Sequence, residues 1–173
     1  MHEFFTNSFR SIGSLEHQYY NDLWESVKSD KLETLDGRMK ITGRLMLEHP
    51  EYQYFWEIPY PFAETEIEKA LEEEGVNPDL HLAVEAMIAE QLENRNPPEI
   101  SGAYEALIAT GVDQHEARHV IGRVFMTMMS EGLKRAERGQ EPDDDFYLSR
   151  IRYLAKHPKK VIREQNRIWQ EGL

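Results

Sequence analysis

Two histidines near the middle of the chain have the spacing of metal ligands. His115 and His119 lie four positions apart in the sequence His-Glu-Ala-Arg-His, with Glu116 between them. Because an α-helix places residues i and i+4 on one face, two imidazoles at this spacing can share a zinc ion. Glu116 could then act as a general base on a metal-bound water, as in metal-dependent hydrolases. The motif therefore predicts a metal centre with Glu116 as the candidate catalytic residue.

A second chelating pair lies earlier in the chain. His81 and Glu85 are also four positions apart, in a helix that we predict to begin at Pro78. We expect both pairs to face the core, because His115 and His119 share an apolar arc of their helix with Phe125, Met126, Met129 and Leu133. His49, at the end of another helix, is a fifth candidate ligand. Since the chain contains no cysteine, any metal must bind to imidazole and carboxylate, which suits zinc or iron. The predicted ligand set is His81, Glu85, His115, His119 and His49.

Other interpretations of the same residues stay open. Gly122 matches the glycine of the extended metzincin pattern, but Phe125 stands where that pattern has its third histidine, which argues against a metzincin. Glu116 could instead complete a helix cap with Asp113. The histidines could be hydrogen-bonded core residues of a non-enzymatic structural or protein-interaction module, with a protein partner or a second copy of the chain as its target.

The elements that must position these residues are predicted to be helical throughout. Apolar residues recur at helical spacing, and no pair of alternating strand segments is joined by a hairpin turn, so we expect an all-α protein, an irregular helical bundle of about six helices. The segment from Tyr52 to Phe62 is predicted to be a structured aromatic loop with room for one helical turn. The predicted helices span about 14–29, 36–48, 64–74, 78–95, 101–110 and 113–139, with further helical segments from Asp143 and from Pro158.

Composition limits the partners. The 173 residues fit a single helical domain, 1–173, and the formal net charge of −12 disfavours nucleic acid and anionic membranes. The N-terminus lacks the pattern of a signal peptide, and no stretch is apolar enough to span a membrane. We expect a cytoplasmic protein.

Three motifs together resemble one known family. The segments Leu47–Tyr52 (Leu-Glu-His-Pro-Glu-Tyr), Asn77–Leu82 continuing to Pro97–Pro98, and His115–His119 resemble, in this order, domain-of-unknown-function family 1841. The resemblance covers about 47–154 and implies a small bacterial all-helical protein with no known activity. That family often has a histidine four places after the position of His81, where this chain has Glu85. A carboxylate can replace imidazole as a zinc or iron ligand, so the change affects the preferred metal more than the existence of a site.

Overall fold

The computed structural model describes residues 17–59, 62–73, 75–140 and 145–170. These residues contain nine α-helices and two short 3-10 turns, and none of them lies in a strand. The predicted all-α class is confirmed, but the described chain has nine helices where about six were expected. The nine correspond to the six predicted helices, the two further segments predicted from Asp143 and from Pro158, and the short helix Gln53–Trp56 in the aromatic segment.

The elements divide between two compact units, Met1–Ala86 and Met87–Leu173. In chain order they are α1 (17–28), a 3-10 turn at Leu32–Thr34, α2 (Gly37–Glu48), a 3-10 turn at Pro50–Tyr52, α3 (Gln53–Trp56), α4 (Ala63–Glu73), α5 (Pro78–Asn94), α6 (Pro98–Ile108), α7 (Gln114–Glu137), α8 (Phe146–Lys156) and α9 (Pro158–Gln170). Residues 14–16 of the predicted first helix, residues 60 and 61 of the aromatic loop and Asp143 lie outside the described residues.

The first unit has an aromatic core. Phe55 and Trp56, in the short helix α3, are fully buried, and the Trp24 and Trp56 rings pack with their centroids 6.0 Å apart. Large aromatic side chains bury more apolar area than any others, so these residues contribute strongly to the stability of the unit. The aromatic segment that the sequence predicts as a loop with one helical turn therefore contributes its helical turn to the core.

Close packing in the first unit depends on a glycine in α2. A Cβ atom at Gly43 would lie 2.7 Å from Leu32 Cδ1 and 3.1 Å from Val27 Cγ2. Both distances are shorter than ordinary van der Waals contact between carbon atoms. The missing side chain lets α2 approach these two residues closely.

The second unit has an aliphatic core. Helices α6, α7 and α8 pack against one another, and α9 packs against all three. Its buried residues are small or branched: Ile88, Ile100, Ala103, Leu107, Ala117, Val120, Ile121, Val124, Ile151, Leu154 and Val161. Side chains of this size allow close approach between helix axes.

Helix ends follow the local sequence in most places. Asn77 caps α5, since its Oδ1 accepts hydrogen bonds from the backbone N–H groups of Asp79 at 2.9 Å and Leu80 at 3.1 Å. Asp113 caps α7 by accepting from the Glu116 N–H at 2.8 Å. The predicted start of α6 at Ser101 is wrong, because the helix already begins at Pro98, whose missing N–H costs nothing in a first turn.

No helix among the described residues is long and apolar enough to cross a membrane.

Candidate metal centre

In the first unit a buried histidine and a buried carboxylate are hydrogen-bonded to each other. His49 Nε2 lies 2.6 Å from Glu85 Oε2, and the side chains are 1% and 2% exposed. His49 follows the last residue of α2, as predicted, because Pro50 disfavours helical geometry in the residue before it. Glu85 lies in the middle of α5 and points into the core. The contact brings together a nitrogen and an oxygen ligand 36 positions apart in the sequence.

The other nitrogen of the His49 ring contacts a second carboxylate. His49 Nδ1 lies 2.8 Å from Glu51 Oε1, in the 3-10 turn that follows the histidine. Burial lowers the pKa of His49, but the hydrogen bonds to Glu85 and Glu51 raise it by more, so the net pKa of His49 is raised. The ring is also stacked on Tyr52, with centroids 5.6 Å apart. Its orientation is therefore set at both nitrogens and on one face.

His81 lies beside this pair. Its ring packs edge-on against His49, with centroids 4.8 Å apart, and its Nε2 is 4.0 Å from Glu85 Oε2. The His81 side chain is 24% exposed, so it is less buried than His49 and Glu85. The first unit thus brings together three of the predicted ligands, His49, His81 and Glu85.

In the second unit the two histidines of the His-Glu-x-x-His motif lie against each other on α7. The His115 and His119 rings have centroids 4.2 Å apart, which is the proximity that their spacing predicts. Both side chains are only half-buried, whereas the sequence predicts that they face the core. The buried stripe of α7 consists of Ala117, Val120, Ile121, Gly122 and Val124, so the histidines lie at the edge of this stripe.

Glu116, the predicted catalytic residue, makes two interactions within α7. One carboxylate oxygen accepts a hydrogen bond from Arg123 Nη2, and the other lies 3.7 Å from His119 Nδ1. Arg123 is held in turn by Gln165 of α9, whose Oε1 accepts from Arg123 Nε at 2.9 Å. The cap with Asp113 uses the Glu116 backbone N–H and leaves the carboxylate available for these contacts.

The candidate ligands fall into two groups, each within one unit. The first unit brings together His49, His81 and Glu85, and the second brings together His115 and His119. Imidazole and carboxylate are ligands that suit zinc and iron. All five residues are among the ligands predicted from the sequence.

The sequence analysis missed a second buried histidine–carboxylate pair in the first unit. His17 Nδ1 lies 2.9 Å from Asp79 Oδ2, and His17 Nε2 is 2.9 Å from the Ile58 carbonyl oxygen; both side chains are at most 1% exposed. Burial lowers the pKa of His17, but the Asp79 contact raises it by more, while burial raises the pKa of Asp79. No local motif marks this pair, because its members are 62 positions apart. The one sequence feature that bears on this pair is the predicted helix start at Asn77, because it places Asp79 in the first turn of α5.

Comparison with known proteins gives one match. A family profile described as a domain of unknown function, DUF1841, matches residues 15–153, which include all five predicted ligands and Glu116. The match extends further toward the N-terminus than the segment identified from the motifs. Neither the curated proteins nor the solved structures contain a significant match. Because the matched residues make up most of the chain, the protein belongs to the DUF1841 family, whose function is unknown.

Proposed function

We propose that this protein binds a divalent metal ion, zinc or iron, through the imidazole and carboxylate ligands that the sequence predicts. The observation that carries the proposal is the buried contact of 2.6 Å between His49 Nε2 and Glu85 Oε2. An ionised carboxylate is costly to bury unless it is paired or bound to a metal. A divalent ion could take the place of the proton that the two atoms share, because metal ligands must be deprotonated to bind.

The two histidines of α7 are a second chelating pair, within the second unit. Their rings are adjacent, and their spacing is the one that zinc proteins use on a helix. His81 is proposed as an additional ligand, since its Nε2 is 4.0 Å from the Glu85 carboxylate. Zinc is the simplest choice for a set of imidazoles with one carboxylate, and iron fits the same donors.

Metal-dependent hydrolysis is a second candidate, favoured by the position of Glu116 between the two histidines of the motif. In that role Glu116 would accept a proton from water during attack on a substrate. The Glu116 carboxylate is paired with Arg123, so the proposed base would have to leave this ion pair before it takes a proton. We therefore rank metal binding above hydrolysis.

The competing interpretation is a module without metal, in which the same residues form a hydrogen-bond network that fixes the core. The contacts of His49 with Glu85 and Glu51 are its specific support, because they engage both ring nitrogens without a metal ion. Such a module would act through a protein partner or a second copy of the chain. Metal content separates the two interpretations.

The test is elemental analysis of the full-length protein, purified without chelator and without a histidine tag. We expect close to one zinc or iron per chain in the wild type, and loss of that metal in a His115→Ala/His119→Ala double variant. His157→Ala is the matched control, because His157 is exposed, packs on Tyr153 and is not one of the predicted ligands. This control should keep the metal.

Two results would count against the proposal. A wild type that stays metal-free after incubation with zinc and with iron, while folding normally, would favour the hydrogen-bonded module. Equal metal content in the wild type, the double variant and the control would mean that the metal binds elsewhere on the chain.

A further inference from the structure

One surface carboxylate is bonded to a buried candidate ligand. Glu51 Oε1 lies 2.8 Å from His49 Nδ1, yet the Glu51 side chain is 53% exposed while that of His49 is 1% exposed. An exposed glutamate has many other conformations available in water, and holding one of them costs side-chain entropy. Its contact with a buried ring therefore points to a specific role at that ring.

The local backbone keeps this carboxylate within reach of the ring. His49 ends α2, and Pro50 begins the 3-10 turn Pro50–Tyr52 that carries Glu51. The fixed φ of proline restricts the turn, so Glu51 comes back toward the ring only two positions after His49. Tyr52 then stacks on the same ring. Three successive residues after His49 thus limit how its imidazole can rotate.

The contact also determines which ring nitrogen can bind a metal. A carboxylate at Nδ1 accepts a hydrogen bond from Nδ1–H, so the proton of the neutral ring is held there and the lone pair lies on Nε2. Nε2 is the atom directed at Glu85, 2.6 Å away. A histidine whose other nitrogen donates to a carboxylate is also a stronger metal ligand.

We propose that Glu51 is a positioning residue of the metal centre, which orients His49 and fixes its Nδ1–H tautomer so that Nε2 binds the ion. This inference rests on the proposed function. Glu51 does not bind the metal itself, and its effect is on how tightly the ion is held.

The test is to measure the zinc dissociation constant of the full chain by competition with a chromogenic chelator. Glu51→Ala should bind about 10- to 100-fold more weakly than the wild type, with the same number of ions per chain. Glu51→Gln keeps an acceptor oxygen but loses the charge, so its affinity should be intermediate. Glu105→Gln, which removes an exposed carboxylate from α6, is the control for net charge and should leave the affinity unchanged.

Two further measurements separate positioning from a purely structural role. Nitrogen NMR of the metal-free protein, at a pH where the His49 ring is neutral, should show the ring in the Nδ1–H tautomer, with a mixture of tautomers in Glu51→Ala. Thermal unfolding of the metal-free variants measures the structural contribution of the contact, because Glu51→Ala takes this carboxylate from the buried His49 Nδ1 and should lower the melting temperature. A purely structural role would lower the metal-free melting temperature but leave the tautomer and the zinc affinity of the folded protein unchanged.

The outcomes also distinguish the role of Glu51 from the proposed metal binding on which it rests. If the wild type binds zinc and Glu51→Ala binds it equally tightly with an unchanged tautomer, the role of Glu51 is wrong and the metal centre stands. If the wild type binds neither zinc nor iron, both proposals are wrong.

Discussion

Glu85 is the residue on which the candidate centre depends most. It is a glutamate at 3% exposure in the core of a small helical protein, and such residues are rarely buried without a partner. Its partner, His49, is equally buried. Removing either member leaves the other buried and short of a hydrogen bond, which costs more than losing the bond alone.

We expect Glu85→Ala to lower the free energy of unfolding of the metal-free protein by about 1–3 kcal/mol, because His49 Nε2 loses its buried partner. Guanidinium unfolding followed by circular dichroism measures the change. Glu93→Ala is the control, since Glu93 is exposed on the same helix, and it should stay within about 0.5 kcal/mol of the wild type. A Glu85→Ala protein as stable as the control would mean that the buried contact contributes nothing to folding.

The His17–Asp79 pair should make stability depend on pH. The pKa of His17 is raised in the folded protein above its ordinary 6.5, so the protonated ring favours the folded state. The stability that it contributes is complete below about pH 6.5 and is lost as the pH rises through the raised pKa. The pKa of Asp79 is raised as well, which gives the same sign, because protonation of the carboxyl also favours the folded state.

The wild type should therefore exceed a His17→Gln variant in stability by more at about pH 6 than at about pH 9. Denaturation midpoints at the two pH values measure the difference. A stability difference between the two proteins that stays constant, or that grows toward alkaline pH, would contradict the raised pKa of His17. His157→Gln serves as a control for the loss of an exposed histidine.

At the scale of the elements, helix α7 shows what the sequence could and could not predict. Its start was predictable from Asp113 and Glu116, because a capping motif is recognisable in the local sequence. Its buried face was not. The sequence analysis favoured the arc of Phe125, Met126, Met129 and Leu133, but the structure buries the stripe of smaller residues that runs from Ala117 to Val124. Both arcs are apolar, and only the packing of α6, α8 and α9 decides between them.

Truncations on the two arcs should have unequal effects. Ile121→Ala removes a fully buried side chain and should cost about 2–5 kcal/mol of unfolding free energy through lost burial and the cavity left behind. Met129 is 39% exposed, and Met129→Ala should cost about 0.5 kcal/mol or less. Chemical denaturation of the two variants compares them directly. Equal losses of unfolding free energy would instead support the arc of Phe125, Met126, Met129 and Leu133 as the buried face.

Two aspartates at helix starts provide a matched comparison of capping. Asp113 accepts a hydrogen bond from the Glu116 backbone N–H, whereas Asp36, at the start of α2, makes no capping bond with its side chain in the described chain. Asp113→Ala should cost about 1 kcal/mol, and Asp36→Ala should cost clearly less. Thermal unfolding of both variants checks the difference. Equal losses would mean that the helix dipole, rather than the hydrogen bond, determines the contribution of each aspartate.

At the scale of the whole molecule, the all-α class was predictable because helical periodicity recurs in every long segment and helix caps are local signals. The number of helices was not, because the single turn in the aromatic segment and the segments that follow Asp143 and Pro158 each form a separate helix. The residue types and the spacing of the candidate ligands could be recognised in the sequence. The contacts that bury His49 with Glu85, and His17 with Asp79, were not, because each joins residues far apart in the sequence. The chain divides into two compact units. Its organisation as a single domain remains a prediction.

If the protein binds zinc in its native state, the metal must stabilise the folded chain. Zinc at about 100 times its dissociation constant should add about 2.7 kcal/mol to the free energy of unfolding, and chelator should remove that gain. Differential scanning fluorimetry with a series of zinc concentrations measures it. The His115→Ala/His119→Ala variant should lose the dependence on zinc, while a melting temperature unaffected by zinc in the wild type would argue for the module without metal.

The close contact at Gly43 has a consequence for how this chain tolerates change. A methyl group there would require the flexible end of Leu32 to shift and the γ-methyl group of Val27 to give slightly, and a longer side chain would require larger displacements of both. In a saturation library at this position, the stability of the variants should therefore decrease with side-chain volume. Alanine should be the closest to glycine in stability, and side-chain hydrophobicity should predict little of the ranking.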